Sequence, residues 1–359
     1  MADIDISIAS YRDPELLPTV RSAWDNSTDP SSLHFTVISQ AEDDEHPDLS
    51  FIPEEQLTYH KFHWSQSKGA CWAREIGSRN LTGTFFLQID SHSRFRLDWD
   101  KTVIESYLAS YAHYGRIVFT TYPEGYKVTD DGQDELHYRN EMLKIIPVWN
   151  EGEQMVGPSF ENATSNPYGD EIYYLSANSL FCFREIIEEI PYDPLLYFYG
   201  EEPSLGLRFY TRGIKLINTP VNFMFHEYKA SWNSDTPKRK LHWEDDPDWH
   251  KLNYQSYERL ARIMTGDTTF GVYGIGDYDR TTNSGCSSTM IAFPSKNNSS
   301  ARFEVTTVMG SYVAFRTTHL VESSAIAIIY SSGFVSFKSL VMLLSLYNCI
   351  VSLAFAAVS

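Results

Sequence analysis

The stretch Thr84–His92 reads TFFLQIDSH, and its first six residues are an apolar run broken only by Gln88, the pattern of a strand buried on both faces. The run delivers Asp90-Ser91-His92 to its carboxyl end. Outward from it, strand-like runs at Ile4–Ser10, His34–Ser39, Thr58–Trp64, Ile117–Thr121, Tyr173–Phe183, Ile214–Asn218 and Asn222–Phe225 alternate with helical patterns. The helices are expected at Glu15–Ala23, Ala70–Leu81, Trp99–Tyr114, Arg184–Ile190, Glu201–Arg212 and Asn253–Met264. This alternation predicts an α/β fold, a sheet covered by helices. Open α/β sheets bind ligands outside the carboxyl ends of their strands, which is where Asp90 and His92 fall. Gly125–Glu135 and Glu151–Asp170 are polar and turn-rich, and read as long surface loops able to line a site.

The 359 residues are 42% hydrophobic, enough for a packed core, so global disorder is excluded. With 47 acidic against 29 basic side chains the net charge is −18, which argues against a general binder of nucleic-acid backbone. Cys71, Cys182, Cys286 and Cys349 stand far apart, so neither a zinc ribbon nor a dense disulfide framework fits, and a cytoplasmic setting is the simpler expectation. The N-terminal MADIDISIAS reads as a first strand rather than a secretory signal. No dinucleotide-binding glycine loop, P-loop, nucleophile elbow or zinc-protease helix motif is present. From Ser284 onward the only charged side chains are Lys296, Arg302, Arg316, Lys338, Glu304 and Glu322. That shift divides the chain into a domain at 1–283 and an atypical tail at 284–359. The uncharged stretch Ser339–Ser359 reads as a membrane anchor, a buried terminal segment, or a tail outside the fold.

An Asp and a His two apart on extended backbone point to the same side, and their oxygen and nitrogen donors suit a borderline divalent ion such as Mn²⁺. The alternative is that Asp90 caps a turn and His92 is exposed. His226 follows a second apolar run and is either a third ligand at the same edge or a hydrogen-bonded interior histidine beside Glu227. Glu201 and Glu202 precede a helical pattern; they cap that helix, or one of them meets sugar hydroxyls or positions an acceptor. Arg12, Lys68, Arg74 and Arg208 are candidate contacts for a diphosphate or nucleotide, although a single Arg is more often in a surface ion pair.

The order of motifs is more specific than any one of them. SIASYRDPELLPTV, SKGACWAREI, FFLQIDSHSRF, the segment from YLSANSLFCF to GEEPSLGLRFYTRGIKL, and FHEYK together resemble the glycosyltransferases that add N-acetylglucosamine to hydroxyproline of a cytoplasmic adaptor protein. More distantly the chain is similar to the polypeptide N-acetylgalactosaminyltransferases. The resemblance spans about residues 3–276 and implies a GT-A type fold, a mixed sheet flanked by helices, binding UDP-N-acetylglucosamine (UDP-GlcNAc) with Mn²⁺ or a similar ion. It implies an Asp-x-His motif at Asp90 and His92, with Ser91 between them, and His226 as the later metal ligand. Ser10, Tyr11, Arg12 and Asp13 match the first loop, which contacts uridine. Lys68, Gly69 and Arg74 match the helix facing the nucleotide, Ala177 and Asn178 the segment beside the sugar, and Glu201 and Glu202 the acidic pair between donor and acceptor.

The resulting expectation is a transferase moving N-acetylglucosamine to a hydroxyl of a protein or glycan with retention of configuration. A non-catalytic module on the same fold that binds a nucleotide sugar or a glycan is the alternative. After Tyr273-Gly274-Ile275-Gly276 the chain departs from the family pattern, which leaves the tail without an assigned role.

Overall fold

The computed structural model describes residues 3–139, 141–150, 155–228, 239–264, 266–276, 290–292, 302–308, 312–318 and 324–329. The strands are β1 (Ile4–Tyr11), β2 (Leu33–Ala41), β3 (Leu57–His63), β4 (Phe85–Asp90), β5 (Ser93–Phe95), β6 (Ile117–Thr120), β7 (Glu124–Val128), β8 (Asp134–His137), β9 (Leu143–Asn150), β10 (Met155–Asn162), β11 (Asp170–Ile172), β12 (Ser179–Phe183), β13 (Lys215–Asn218) and β14 (Met224–Glu227). The helices are α1 (Leu16–Asp25), α2 (Ala70–Gly77), α3 (Trp99–Tyr114), α4 (Arg184–Glu189), α5 (Glu201–Tyr210), α6 (His242–Asp245) and α7 (Trp249–Met264).

Eight strands form one mixed sheet in the order β11-β13-β6-β12-β4-β1-β2-β3. β4, β1, β2 and β3 run parallel, whereas β12 is antiparallel to both β4 and β6. This is the mixed α/β sheet flanked by helices expected from the sequence. Its central strands read as continuous apolar runs because helices cover them: Ile4, Ile6, Ile8, Phe35, Val37, Leu87, Ile89 and Phe181 are fully buried. Each such side chain contributes roughly 1.5–3 kcal/mol relative to exposure. Gln88, the polar exception, is also fully buried, and both ends of its amide are bonded: it accepts from the Tyr192 hydroxyl at 2.6 Å and donates to the Ala177 carbonyl at 2.8 Å. The polar residue in an apolar strand thus wires β4 to the Ala177 segment.

A second, four-stranded sheet has the order β5-β14-β7-β8, and β9 with β10 makes a two-stranded ribbon. Three sequence expectations change here. Gly125–Glu135, expected as a loop, contributes most of β7 and the start of β8, and the expected loop at Glu151–Asp170 contains β10. The helix expected at Ala70–Leu81 ends at Gly77.

The chain divides into two compact units, residues 1–148 with 158–278, and residues 149–157 with 279–359. The second contains a four-stranded antiparallel sheet in the order β15 (Met290–Ala292), β18 (Ser324–Ile329), β17 (Tyr312–Thr318), β16 (Arg302–Val308). The apolar stretch 339–359 lies outside the described residues. Among the described residues no helix is long and apolar enough to cross a membrane.

Candidate active site

β4 ends at Asp90, and β5 begins three residues later in the other sheet, so Asp90-Ser91-His92 is the link between the two sheets. β5 pairs antiparallel with β14, placing His226 opposite Ser93, and the Glu227 N–H donates to the His92 carbonyl at 3.0 Å. This pairing carries His226 to the end of β4. Its Nε2 lies 3.1 Å from Asp90 Oδ2, and His92 Nε2 lies 3.7 Å from the same oxygen. One ligand atom from each of Asp90, His92 and His226 falls within 4.8 Å of the others. His226 is inside its strand rather than after it, because β14 extends through Glu227.

The electrostatics favour a cation. Burial opposes ionisation of Asp90, yet the Arg74 guanidinium and both imidazoles outweigh it and hold the carboxyl well below the usual range. Burial pushes His226 down to about 4, so its ring is neutral at pH 7, and its Nδ1 has no hydrogen-bond partner. A neutral imidazole is the form a metal ion requires.

His92 is oriented from behind. The Asp13 carboxylate, buried in the β1–α1 turn, lies 2.8 Å from His92 Nδ1 and accepts from the Ser91 hydroxyl at 2.6 Å. An anionic acceptor at Nδ1 selects the tautomer with its proton there, which leaves the Nε2 lone pair on the Asp90 side. Burial alone would raise the Asp13 pKa, but the His92 contact reverses it and the carboxyl is held below its ordinary value. Thr19 anchors the same link: its hydroxyl donates to the Ser91 and Ser93 carbonyls at 2.7 and 3.0 Å.

Arg74 and the two glutamates form the opposite wall. Gly69 precedes α2 with φ +101°, and the Ala70 N–H then donates to the Tyr197 carbonyl at 3.0 Å, which fixes how the helix enters. Buried Arg74 on that helix donates to Asp90 Oδ1 at 2.5 Å and also pairs with Glu201. Glu201 and Glu202 occupy the first turn of α5, after Gly200 at φ +100°, and no side chain caps that helix end: the Glu201 carboxylate is turned to Arg74 and the Glu202 carboxylate to Ala177. Glu202 accepts from the Ala177 N–H at 2.9 Å; burial, reinforced by the Glu201 charge, pushes its carboxyl up to about 7.

Beside the Asp13 turn lies a cleft of about 550 Å³ at the carboxyl ends of β1 and β2, lined among others by Ser10, Asp13, Leu17, Ser39, Pro47 and Lys240. Arg12 also lines it, with φ +45°, and its guanidinium is paired with Asp245 at 2.9 Å and Glu42 at 3.3 Å. The Tyr11 hydroxyl donates to Asp245 at 3.1 Å.

The family model for Glycosyltransferase (GlcNAc) matches residues 50–322. The chain belongs to that family, and it is a glycosyltransferase. Among solved structures it is similar to residues 1–349 of TarS from S. aureus. For the TarS complex with UDP-GlcNAc the identity is 13% and the TM-score 0.43, over 73% of this chain and 66% of that one. TarS without ligand gives 12% and 0.41, and the UDP complex 13% and 0.41, each over 75% of this chain and 74% of that one. No curated protein matches the chain.

The glycosyltransferase brings together nine of the residues singled out in its sequence: Asp13, Arg74, Asp90, Ser91, His92, Ala177, Glu201, Glu202 and His226 are joined by the contacts above. Others stand apart from that network. Lys68 lies over the Trp72 ring at 6.0 Å, and the Asn178 side-chain oxygen is buried with no hydrogen-bond partner. Arg208 is corrected outright. It is fully buried in α5, donating to the Pro191 and Val272 carbonyls at 2.7 and 3.0 Å and packed on Tyr273, which is an interior role and not a diphosphate contact. Sequence reasoning missed Thr19, Lys240 and the task of Gln88. Only Gln88 carried a signal, as the polar residue in an apolar run.

Proposed function

We propose that this chain transfers N-acetylglucosamine from UDP-GlcNAc to a hydroxyl of a protein (hydroxyproline, serine or threonine) or of a glycan, retaining the α configuration. Asp90, His92 and His226 would hold Mn²⁺ or a similar divalent ion. The observation that carries this reading is the meeting of one carboxylate and two imidazoles beside a cleft large enough for a nucleoside. Charge supports a metal. The acidic groups Asp13, Asp90 and Glu201 outnumber Arg74, so a diphosphate entering unaccompanied would meet repulsion.

A bound divalent ion supplies Lewis-acid stabilisation of the charge growing on the departing diphosphate. The chain's own residues prepare the rest. Asp13 keeps the His92 tautomer, Arg74 fixes Asp90, and Glu201 is committed to Arg74. Glu202 holds the Ala177 backbone, and so orients the segment proposed to lie beside the sugar. In the transfer the bond from the anomeric carbon to the diphosphate oxygen breaks. A bond to the acceptor oxygen forms on the same face, and the hydroxyl proton passes to the diphosphate. The reading places the enzyme in the cytoplasm, where the free, buried thiols of Cys71 and Cys182 are ordinary.

Calorimetric titration of UDP with and without Mn²⁺ tests the site. Wild type is expected to bind only with the ion, and Asp90→Ala and His92→Ala should each abolish that binding. UDP affinity that is independent of metal and survives both substitutions refutes the proposal. A donor screen with mass-spectrometric detection of the modified acceptor tests the sugar and its destination.

A further inference from the structure

The arginines around the site are spent, and Lys68 lies over the Trp72 ring. Arg74 is paired with Asp90 and Glu201, Arg12 with Glu42 and Asp245, Arg94 with Glu15 and Asp134, Arg96 with Glu124, and Arg239 with Glu227. A guanidinium already matched by carboxylates has little attraction left for a further anion. Lys240 differs. It lines the 550 Å³ cleft, its side chain is exposed, and among the described residues it forms no ion pair. Glu45 lines the same cleft, but its carboxylate accepts the Glu42 N–H at 3.3 Å and is not paired with Lys240.

The placement of Lys240 is specific. Its backbone N–H donates to the Arg12 carbonyl at 3.5 Å, one residue before Asp13, whose carboxylate both lines the cleft and holds His92. Lys240 therefore lines the same cleft as Asp13, the residue that holds His92 of the Asp90–His92–His226 cluster. In a chain of net charge −18, an ammonium that lines a cleft and is unmatched among the described residues is a site for an anion. Uracil and ribose are neutral, and the diphosphate is the anionic part of the donor.

We propose that Lys240 is a donor-binding residue that pairs with the diphosphate from the nucleoside side of the cleft. This rests on the reading of the donor as a UDP-sugar, and it adds a cationic contact outside the metal cluster.

The test is binding of UDP and of uridine, each with Mn²⁺, to wild type, Lys240→Ala, Lys240→Arg and Lys251→Ala. Lys251 is a control, an exposed α7 residue paired with Asp248 at 2.7 Å. Lys240→Ala should weaken UDP binding by about 10- to 100-fold, the range for losing a hydrogen bond to a charged group, and leave uridine binding unchanged. Lys240→Arg should retain most of the UDP affinity, and Lys251→Ala all of it. In turnover, Lys240→Ala should raise the donor KM with kcat nearly unchanged. A UDP affinity of Lys240→Ala equal to wild type, or equal losses for UDP and uridine, overturns the assignment while leaving the donor reading intact. Failure of wild type to bind UDP with Mn²⁺ overturns the donor reading and this inference with it.

Discussion

Asp13→Asn should weaken divalent-ion binding without unfolding the protein. The carboxylate takes two contacts at once, from His92 Nδ1 at 2.8 Å and from the Ser91 hydroxyl at 2.6 Å. Asparagine keeps the shape but offers one oxygen and no charge. Both contacts fall on one oxygen, Oδ2, and Oδ1 accepts the Glu15 N–H at 3.0 Å, so an amide turned one way sets its NH2 against that N–H and turned the other way sets it against both His92 and Ser91. The imidazole then loses the anionic partner that fixes its tautomer and orientation. Removing such a partner typically costs 10- to 100-fold in metal affinity, about 1.4–2.7 kcal/mol. Mn²⁺ titrations followed by the electron paramagnetic resonance of the free ion measure this directly and need no turnover. A thermal melt of the same sample checks that the fold is retained. Affinity within about twofold of wild type would show that Asp13 does not act through His92.

Two further outcomes follow from the opposite wall. Glu202 has a folded-state pKa of about 7 against an ordinary 4.5, so between those values the folded chain holds a proton that the unfolded chain releases. Stability should therefore fall as pH rises from about 4.5 to about 7, by up to about 3 kcal/mol, and then level off. Glu202→Gln should flatten that window in urea unfolding, and an unchanged pH dependence would contradict the assignment. Gly69→Ala places a Cβ against the Tyr197 backbone carbonyl at a φ of +101°. It should destabilise by about 1–3 kcal/mol and raise the donor KM by shifting α2 and Arg74. An unaltered melting temperature together with an unaltered KM would rule that out.

Legibility followed the range of the forces involved. β1, β2, β4, α3 and α5 lie close to their expected positions because burial of the main sheet writes itself into local apolar runs and helical spacing. β7 and β8 did not, since GYKV and DELH are too polar to announce strands. They are extended because β14 and one another supply ladder partners, an effect of context rather than propensity. Arg208 shows the converse limit. A lone arginine reads as a possible anion contact, and nothing local says that it will be enclosed against the Pro191 and Val272 carbonyls.

The sequence by itself determined that a buried strand would end in Asp90-Ser91-His92 at the ligand-binding edge of an α/β sheet, because hydrophobic periodicity and strand direction are local properties. It also supplied His226 as a candidate, with a hydrogen-bonded interior role as the alternative. Only the tertiary structure decided that His226 meets Asp90 across 136 residues of chain. That meeting depends on the pairing of β5 with β14, two strands of three and four residues too short to fix their partner by pattern. Asp13 likewise became the partner of His92, and Lys240 part of the cleft wall, through packing alone. Side-chain chemistry can be read along a chain, but the distances between such groups arise only when the sheets assemble.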